Sequence, residues 1–326
     1  MIVAPGNIQN IFLDEVKKRV PSNISFADDL SEILSISRDS AYRRIRGETV
    51  LSLDEVKLIC NHYGVSLDAL LSTTSNTVTF RYQAVDEKTF AFESWMKSIL
   101  ANLEMIHAVP EKELFYSAKD VPVFYHFDYP DLTAFKIYFW NKTVLGASFQ
   151  EEKFNPKMIS NDLISLAKRI WQKYAALPST EFWSEETTNI TLRQIEFTYD
   201  CGFFANPDDA KILLEQYCTM LSNVRKWAAA GIKNSTGESF KLYKNEIMIA
   251  DNTIFFKMGA KRISFVVHNG VEYLTTSQEN YCLQTEKYLT NLLNKAVLIS
   301  TTGEKERNRF FNSMDEKASA LKKKIQ

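Results

Sequence analysis

Four arginines stand within nine residues near the start of a chain that is otherwise nearly neutral. They lie in the stretch SISRDSAYRRIRGETVLSLDE, residues 35–55, and are Arg38, Arg43, Arg44 and Arg46. A guanidinium group can form paired hydrogen bonds with the O6 and N7 atoms of guanine, and it can also bind phosphate. The hydroxyl groups of Ser37 and Ser40 accompany the arginines and suit phosphate or base-edge contacts. The chemistry that this segment offers is recognition of nucleic acid.

The net charge of the whole chain does not favour binding to nucleic acid. Its 326 residues include 39 Lys or Arg and 40 Asp or Glu, which gives a formal net charge of −1. Attraction to nucleic acid must therefore come from a local patch. The hydrophobic fraction of 45% and the aromatic fraction of 13% are typical of a soluble globular protein with a large core. The length predicts two or three domains.

Apolar residues at helical spacing predict five short helices within residues 1–74. The second helix spans about residues 26–34. The third begins after an N-cap at Ser37 or Asp39, because either side chain can accept from free backbone N–H groups. It ends at Gly47, because glycine readily adopts the left-handed conformation that is common just after a helix. The first helix carries its apolar residues at Ile8, Ile11, Phe12, Val16 and Val20.

The fourth helix is expected to begin at Ser52, because Ser52 and Glu55 have the spacing of a capping box. Gly64 stops this helix, and Ser66 caps a last helix that ends near residues 70–71. Short helices joined by short turns favour a helix-turn-helix domain in which helices two and three form the pair. The inner side of helix four is predicted to carry Leu53, Val56, Ile59 and Cys60.

Residues 26–71, FADDLSEILSISRDSAYRRIRGETVLSLDEVKLICNHYGVSLDALL, resemble the helix-turn-helix of Cro and lambda-repressor type found in bacterial and phage regulators. Ser35 stands where that family usually has glycine, and Ala41 is smaller than its usual branched residue. The resemblance implies that helix three is the recognition helix for duplex DNA. The matching features are the closing GVSLDALL and Leu30, Ile36, Ser37 and Gly47.

Helix three is expected to present its polar side outward. Ala41 and Ile45 are four residues apart, so they share the inner face. Tyr42 is expected either to pack on the sugar-phosphate backbone or to complete the core. The positions expected to face outward, or to flank the helix at its entrance and exit, belong to Arg38, Ser40, Arg43, Arg44 and Arg46.

The competing interpretation is a solvated helix face, whose arginines pair with Asp28, Asp29, Asp39 and Glu48. Residues 1–74 carry 8 Lys or Arg against 10 Asp or Glu, a net charge of 8 − 10 = −2. Positive charge gathered on one helix of an acidic unit favours an oriented DNA reader. The acidic background also predicts modest non-specific affinity, so we expect a homodimer that holds two recognition helices about 34 Å apart.

The remaining chain is predicted to form two further parts, which makes the fold class mainly α with an α+β C-terminal part. Residues 75–235 are expected to be a mostly helical regulatory region, which begins with a strand over 78–85. Residues 236–326 are expected to form an antiparallel α+β region for sensing or dimerisation, with four or five short strands and two closing helices. The helices are placed at about 87–108, 131–145, 159–176, 188–199, 207–231, 277–298 and 304–325.

The last helix carries apolar residues at spacings that are typical of a coiled-coil seam. Such a seam serves either a dimer interface or packing of the helix on its own sheet. The seam residues are Phe311, Met314, Ala318, Leu321 and Ile325.

The sequence contains no H-E-x-x-H, G-x-S-x-G, P-loop or G-x-G-x-x-G motif, and no two cysteines have the spacing of a metal pair. His126-Phe127-Asp128 is the nearest pairing of a base with an acid, and it either orients a ligand or belongs to the core. The first ten residues lack the features of a signal peptide, and no apolar run approaches the ~20 residues of a membrane span. Four cysteines are expected to be reduced thiols, namely Cys60, Cys201, Cys218 and Cys282.

These patterns predict a cytoplasmic bacterial transcription regulator that binds double-stranded DNA through helix three. It is expected to be a homodimer without metal or cofactor, which senses a small-molecule or protein effector. Two alternatives stay open. The helix-turn-helix surface can bind a protein instead, or residues 78–326 can be an enzyme with an attached regulatory domain. A deep pocket with convergent polar groups and perturbed pKa values would favour the enzyme.

Overall fold

The computed structural model of the chain describes residues 8–21, 23–67, 77–82, 91–144, 152–233, 237–246, 251–268 and 270–325. It divides into two compact units, Met1–Thr79 and Phe80–Gln326. The boundary expected at residue 235 does not separate two units, because strands from both sides of it pair within one sheet.

Four helices are described in Met1–Thr79. They are α1 (Ile8–Lys17), α2 (Phe26–Ile33), α3 (Arg38–Ile45) and α4 (Leu53–Tyr63). The fifth predicted helix, ending near residues 70–71, and most of the predicted linker lie outside the described residues. The unit has its own core, which consists of Phe12, Leu13, Val16, Leu30, Ala41, Leu51, Ile59 and Val65.

Local capping explains where α3 and α4 begin and end. Ser37 is the N-cap of α3, and its side chain accepts from the N–H of Ser40. Ser52 and Glu55 form the capping box of α4, and Gly64 ends that helix in the left-handed conformation, so both predictions are confirmed. Between α2 and α3, Ser35 has a φ of 53°, in the region that glycine adopts at the least cost.

The larger unit, Phe80–Gln326, combines helices with a mixed sheet and is an α+β structure. Its strands are β1 (Arg81–Tyr82), β2 (Lys112–Ala118), β3 (Ser179–Trp183), β4 (Phe240–Lys244), β5 (Thr253–Met258), β6 (Lys261–Val267), β7 (Tyr273–Thr276) and β8 (Val297–Leu298). Its helices are α5 (Phe92–His107), α6 (Val123–His126), α7 (Pro130–Val144), α8 (Asn161–Ala175), α9 (Asn189–Asp200), α10 (Asp209–Ala230), α11 (Glu279–Lys295) and α12 (Glu304–Ile325).

The eight strands form one sheet in the order β1-β7-β6-β5-β2-β3-β4-β8. The predicted antiparallel meander is present as β5, β6 and β7. However, β4 does not belong to it, since β4 pairs in parallel with β3, and β3 pairs in parallel with β2. Helices connect these parallel strands, as parallel pairing requires. No local pattern predicts β3, because all five of its residues are buried and a glutamate lies in the middle.

That glutamate, Glu181, is fully buried and has a complete set of partners. Its Oε1 accepts from Lys233 Nζ at 3.1 Å and from the hydroxyl groups of Tyr125 and Tyr174 at 2.8 Å each. Its Oε2 accepts from Trp183 Nε1 at 3.0 Å. Burial lowers the pKa of Lys233, and Glu181 opposes that shift. The ion pair therefore joins strand β3 to the chain that follows α10.

The apolar seam of α12 is covered by its own unit. Its five seam residues, from Phe311 to Ile325, are buried in the main core, where α12 packs on α10 and α9. Two lysines of its last turn form ion pairs with the same two helices, Lys322 with Glu215 and Lys324 with Glu196. The expected roles of this seam were a dimer interface or packing within its own unit, and the structure shows the second.

No helix in the described part of the chain is both long enough and apolar enough to cross a membrane.

We expect Lys233→Met to destabilise Phe80–Gln326 by about 3–5 kcal/mol, because it leaves a buried carboxylate without its cation. Unfolding in denaturant, followed by tryptophan fluorescence, reports this unit alone, since the five tryptophans all lie after residue 94. Lys322→Met is the matched control. It removes an ion pair whose two side chains are 46% and 64% exposed, so we expect little change. Equal stability of Lys233→Met and the wild type would contradict the role given to the pair.

Candidate nucleic-acid interface

Two exposed arginines of α3 and a third just beyond its end are each paired with a carboxylate of the same unit. Arg38 Nε lies 2.8 Å from Asp28 Oδ1, and Arg43 Nε lies 3.1 Å from Asp39 Oδ2. Beyond the helix, Arg46 forms a two-pronged pair with Glu48, at 2.6 and 3.1 Å. The three arginine side chains are 62%, 59% and 53% exposed. The arginines are therefore accessible but neutralised in the free protein.

The carboxylate pairing resembles the solvated face that the sequence left open. Three of the four expected acids take part, and Asp29 instead accepts from the hydroxyl of Tyr63 at 2.5 Å. Hydrogen bonding to Arg46 lowers the pKa of Glu48. Such exposed ion pairs contribute little free energy and exchange readily with other partners.

Tyr42 lies on the same side of α3 as Arg38. Its side chain is 39% exposed, and the Arg38 guanidinium carbon is 5.8 Å from the centre of its ring. Of the two roles expected for Tyr42, completion of the core is excluded by this exposure. At the start of the helix, the hydroxyl groups of Ser37 and Ser40 are 2.9 Å apart and fix the first turn.

Arg44 does not face outward, contrary to the expectation from the sequence. Its side chain is only 16% exposed, and its Nη2 and Nε lie 2.7 and 3.0 Å from Glu55 Oε1. Its Nη1 also donates to the backbone oxygen of Ser40 at 3.3 Å. The helical wheel placed Arg44 outside because it does not show that the first turn of α4 returns to this side of α3. Arg44 therefore joins two helices.

Glu55 forms hydrogen bonds with both helices at this junction. Its Oε2 accepts from the N–H of Ser52 at 2.8 Å, which completes the capping box, while its Oε1 accepts from Arg44. Burial alone would raise the pKa of Glu55, but the hydrogen bonds from Arg44 and Ser52 outweigh it and the pKa is lowered. The carboxylate is thus stabilised in its charged form.

Gln9 of α1 is a positioning residue that the sequence analysis did not find. Its Nε2 donates to the backbone oxygens of Arg44 and Thr49, at 2.9 and 2.8 Å. Its Oε1 accepts from the N–H of Leu51 at 2.9 Å. One amide side chain thereby satisfies three backbone groups of the α3–α4 connection. No local pattern marks it, because its partners are 35 to 42 residues away.

Two apolar side chains next to this connection are strongly exposed. Val50 is 81% exposed and Leu53 is 83% exposed. The expectation that Leu53 lies on the inner side of α4 was wrong, because it is the first residue of the helix and precedes the buried turn. Ile59 is buried as predicted, whereas Val56 and Cys60 are partly buried.

The histidine of the base-acid pair predicted around residue 126 belongs to the core, whereas Asp128 is half-buried. His126 is fully buried, and its Nε2 lies 3.0 Å from Thr191 Oγ1. Burial lowers the pKa of His126 well below its usual value, and the nearby charge of Lys136 adds to the shift. The ring is therefore neutral at physiological pH.

Comparison of the chain with protein-family models, with curated proteins and with solved structures found no match.

We expect Glu55→Gln to destabilise Met1–Thr79 by about 1–2 kcal/mol at pH 7, because Gln keeps the capping box but loses the charged bond to Arg44. The pKa of Glu55 is lowered from 4.5 in the folded unit, so its contribution is complete above pH 4.5. It disappears as the pH falls through the lowered folded value. Circular dichroism of thermal unfolding between pH 3 and 7 measures the difference from wild type.

Tryptophan fluorescence serves as the internal control in that experiment, because it reports only Phe80–Gln326 and should not change. Glu48→Gln removes an exposed carboxylate from the same unit, and we expect a much smaller effect from it. A difference between Glu55→Gln and wild type that is constant from pH 7 to pH 3 would contradict the assignment.

Proposed function

We propose that this chain is a DNA-binding transcription regulator whose helix α3 enters the major groove as the second helix of a Cro and lambda-repressor type helix-turn-helix. The observation that carries the proposal is that the arginines of this segment fall into two groups, one exposed and one structural. Arg38 and Arg43 of α3, and Arg46 just beyond it, are exposed, while Arg44 and Ala41 fix the helix to the unit. A rigid helix with accessible guanidinium groups is what base reading requires.

The proposed binding step is an exchange of partners. Each exposed arginine leaves its own carboxylate and bonds to a phosphate or to a guanine. The pairs that are lost contribute little, because their members are exposed and hydrated. One bidentate guanine contact discriminates against a wrong base by about 1–3 kcal/mol. The exchange therefore favours the complex wherever the DNA offers the matching base.

The other predicted residues take supporting roles in this proposal. Ser37 and Ser40, at the start of α3, contact phosphate together with the free N–H groups of the helix. Tyr42 packs on the sugar-phosphate backbone. Arg44 positions α3 through Glu55 and makes no contact with DNA. The regulator is proposed to act in the cytoplasm, without a catalytic step, metal or cofactor.

The carboxylates beside the arginines also bear on oligomeric state. Asp28, Asp39 and Glu48 repel phosphate and keep the affinity of a single unit low. A homodimer that places two α3 helices one turn of DNA apart compensates for this. Its interface is proposed to lie outside the seam of α12, since that seam is covered within the unit.

A second candidate is binding of a partner protein, and the exposed pair Val50 and Leu53 favours it. Two aliphatic side chains that are more than 80% exposed beside the arginines have the composition of a small protein contact. The two functions respond to different substitutions, since Leu53→Ser removes an apolar contact without changing charge.

We expect Arg43→Ala to weaken binding to the DNA upstream of the protein's own coding sequence by about 10- to 100-fold. Fluorescence anisotropy of the full chain at several salt concentrations measures this. Arg309→Ala is the matched control, because Arg309 is equally exposed and paired but lies in the other unit. Arg43→Lys separates the modes of contact, because lysine keeps the charge and loses the paired geometry of base reading.

Loss of binding in Arg43→Ala and retention in Arg309→Ala would support α3 as the reader. Binding that survives in Arg43→Ala and is lost in Leu53→Ser would move the contact to the apolar pair. A complete lack of salt-dependent DNA binding by the wild type would count against the proposal and favour a protein partner.

We expect Asp39→Asn to tighten DNA binding by about 2- to 10-fold, because it frees Arg43 and removes a negative charge that faces phosphate. Glu93→Gln is the matched control, because Glu93 and Lys97 form an exposed pair of the same spacing in α5. The same anisotropy titration measures both variants. Weaker binding by Asp39→Asn would mean that the ion pair orients Arg43 for contact and that exchange does not occur.

A further inference from the structure

A cavity of about 330 Å³ lies within Phe80–Gln326, and its role does not depend on the DNA-binding proposal. Residues of helices α5, α7 and α9 and of strands β2, β5, β6 and β7 line it. Small-molecule sites are concave, mostly apolar and about 300–1,000 Å³ in volume. The cavity is therefore large enough for a small organic molecule.

Most of the cavity wall is aromatic or aliphatic. Trp95 and Trp140 stand edge to face, with their ring centres 5.7 Å apart. Trp95 is held in place because its Nε1 donates to the backbone oxygen of Val271 at 2.9 Å. Phe256 and Phe265 of neighbouring strands are also arranged edge to face, 5.9 Å apart. These fixed rings form a preformed apolar surface.

An ion pair between Lys136 and Asp120 lies in the cavity wall. Lys136 is 2% exposed, and its Nζ lies 3.1 Å from Asp120 Oδ2 and 2.9 Å from Gln194 Oε1. The second oxygen of Asp120, Oδ1, is buried and has no hydrogen-bond partner among the described residues. A buried acceptor without a partner costs free energy, so this atom is suited to accept from a ligand.

The hydroxyl oxygen of Tyr273 is, like Asp120 Oδ1, a buried polar atom of the cavity wall. Within the described chain, it has no hydrogen-bond partner. Burial raises the pKa of Tyr273, against the opposing effect of the neighbouring Trp95 side chain, so the group stays protonated and can both donate and accept. Tyr273 and Asp120 both line the cavity.

The charged side chains that line the cavity balance one another. They are Lys119, Lys136, Asp120 and Asp251, two positive and two negative. A ligand with a net charge would find no spare counter-charge, and burial of an unpaired charge is costly. A neutral polar group would not meet this penalty. Burial raises the pKa of Asp120, and the charge and hydrogen bond of Lys136 oppose that shift.

We infer that this cavity binds an uncharged small molecule with an apolar body, whose amide or hydroxyl group donates to Asp120 Oδ1 and bonds to the Tyr273 hydroxyl. Water could satisfy the two polar atoms, but it would leave the aromatic walls hydrated. A ligand of the stated kind covers the walls and completes both hydrogen bonds. This cavity is thereby proposed as the binding site of the expected small-molecule effector, and its lining defines the chemical class of that effector.

The test uses three probes with one apolar body and different ends, namely 4-phenylbutanamide, 4-phenylbutylamine and 4-phenylbutanoate. Melting of the full chain is followed by tryptophan fluorescence, which reports the unit that holds the cavity. At about five times its Kd, the amide should raise Tm by about 2–4 °C, with smaller shifts from the amine and the carboxylate. For molecules of this size, a Kd in the low millimolar range is expected.

Three variants locate the binding. Tyr273→Phe deletes only an unpartnered hydroxyl, so the fold should hold while the Kd of the amide rises about 3- to 10-fold. Asn102→Trp places a ring at a partly buried lining position and should abolish the shift. Tyr288→Phe, at an exposed tyrosine of α11 that does not line the cavity, should bind as the wild type does.

The inference is overturned if the amide gives no shift at 20 mM, or if Asn102→Trp retains the shift. A larger shift with the amine or the carboxylate than with the amide would overturn the assignment to uncharged ligands. An unchanged Kd in Tyr273→Phe would remove that hydroxyl from the site.

Discussion

The carboxylate of Glu55 is the constraint on which the candidate DNA-binding surface depends. It accepts from the backbone of Ser52 and from the guanidinium of Arg44, so that one side chain both starts α4 and fixes α3 to it. Gln9 holds the intervening connection from the other side. With α3 fixed in this way, the remaining arginines stay exposed to solvent. A basic cluster that looks uniform in the sequence is thereby divided into one structural residue and three accessible ones.

The difference between these arginines is a difference in solvent exposure. Arg44 and Glu55 are 16% and 18% exposed, so water screens their attraction poorly and the pair persists. Arg38 and Arg43 are about 60% exposed, and their carboxylate partners are hydrated as well. Exposed pairs of this kind limit non-specific attraction to phosphate but are weak enough to exchange. Under the proposed function, an acidic N-terminal unit gains selectivity in this way, because only the correct site offers bonds that replace those lost.

Features set by neighbouring residues could be predicted from the sequence, whereas features set by distant ones could not. The cap at Ser37, the capping box at Ser52 and the end of α4 at Gly64 all follow from contacts within one turn, and the structure confirms them. Arg44 and Glu55 are 11 residues apart, so a helical wheel cannot pair them. Strand β3 was missed for the same reason. Its buried Glu181 depends on Lys233, 52 residues away, and charge within a strand argues locally against burial.

The most direct test of this account is amide hydrogen exchange of the full chain with and without a saturating duplex from upstream of its own coding sequence. The account predicts slower exchange in residues 35–46, where the turn and α3 lie, because bound DNA excludes water there and stabilises the helix. Peptides from the sheet of Phe80–Gln326 serve as the internal reference. Exchange in residues 35–46 that is unchanged at saturation would contradict the account, and so would protection confined to another part of the chain.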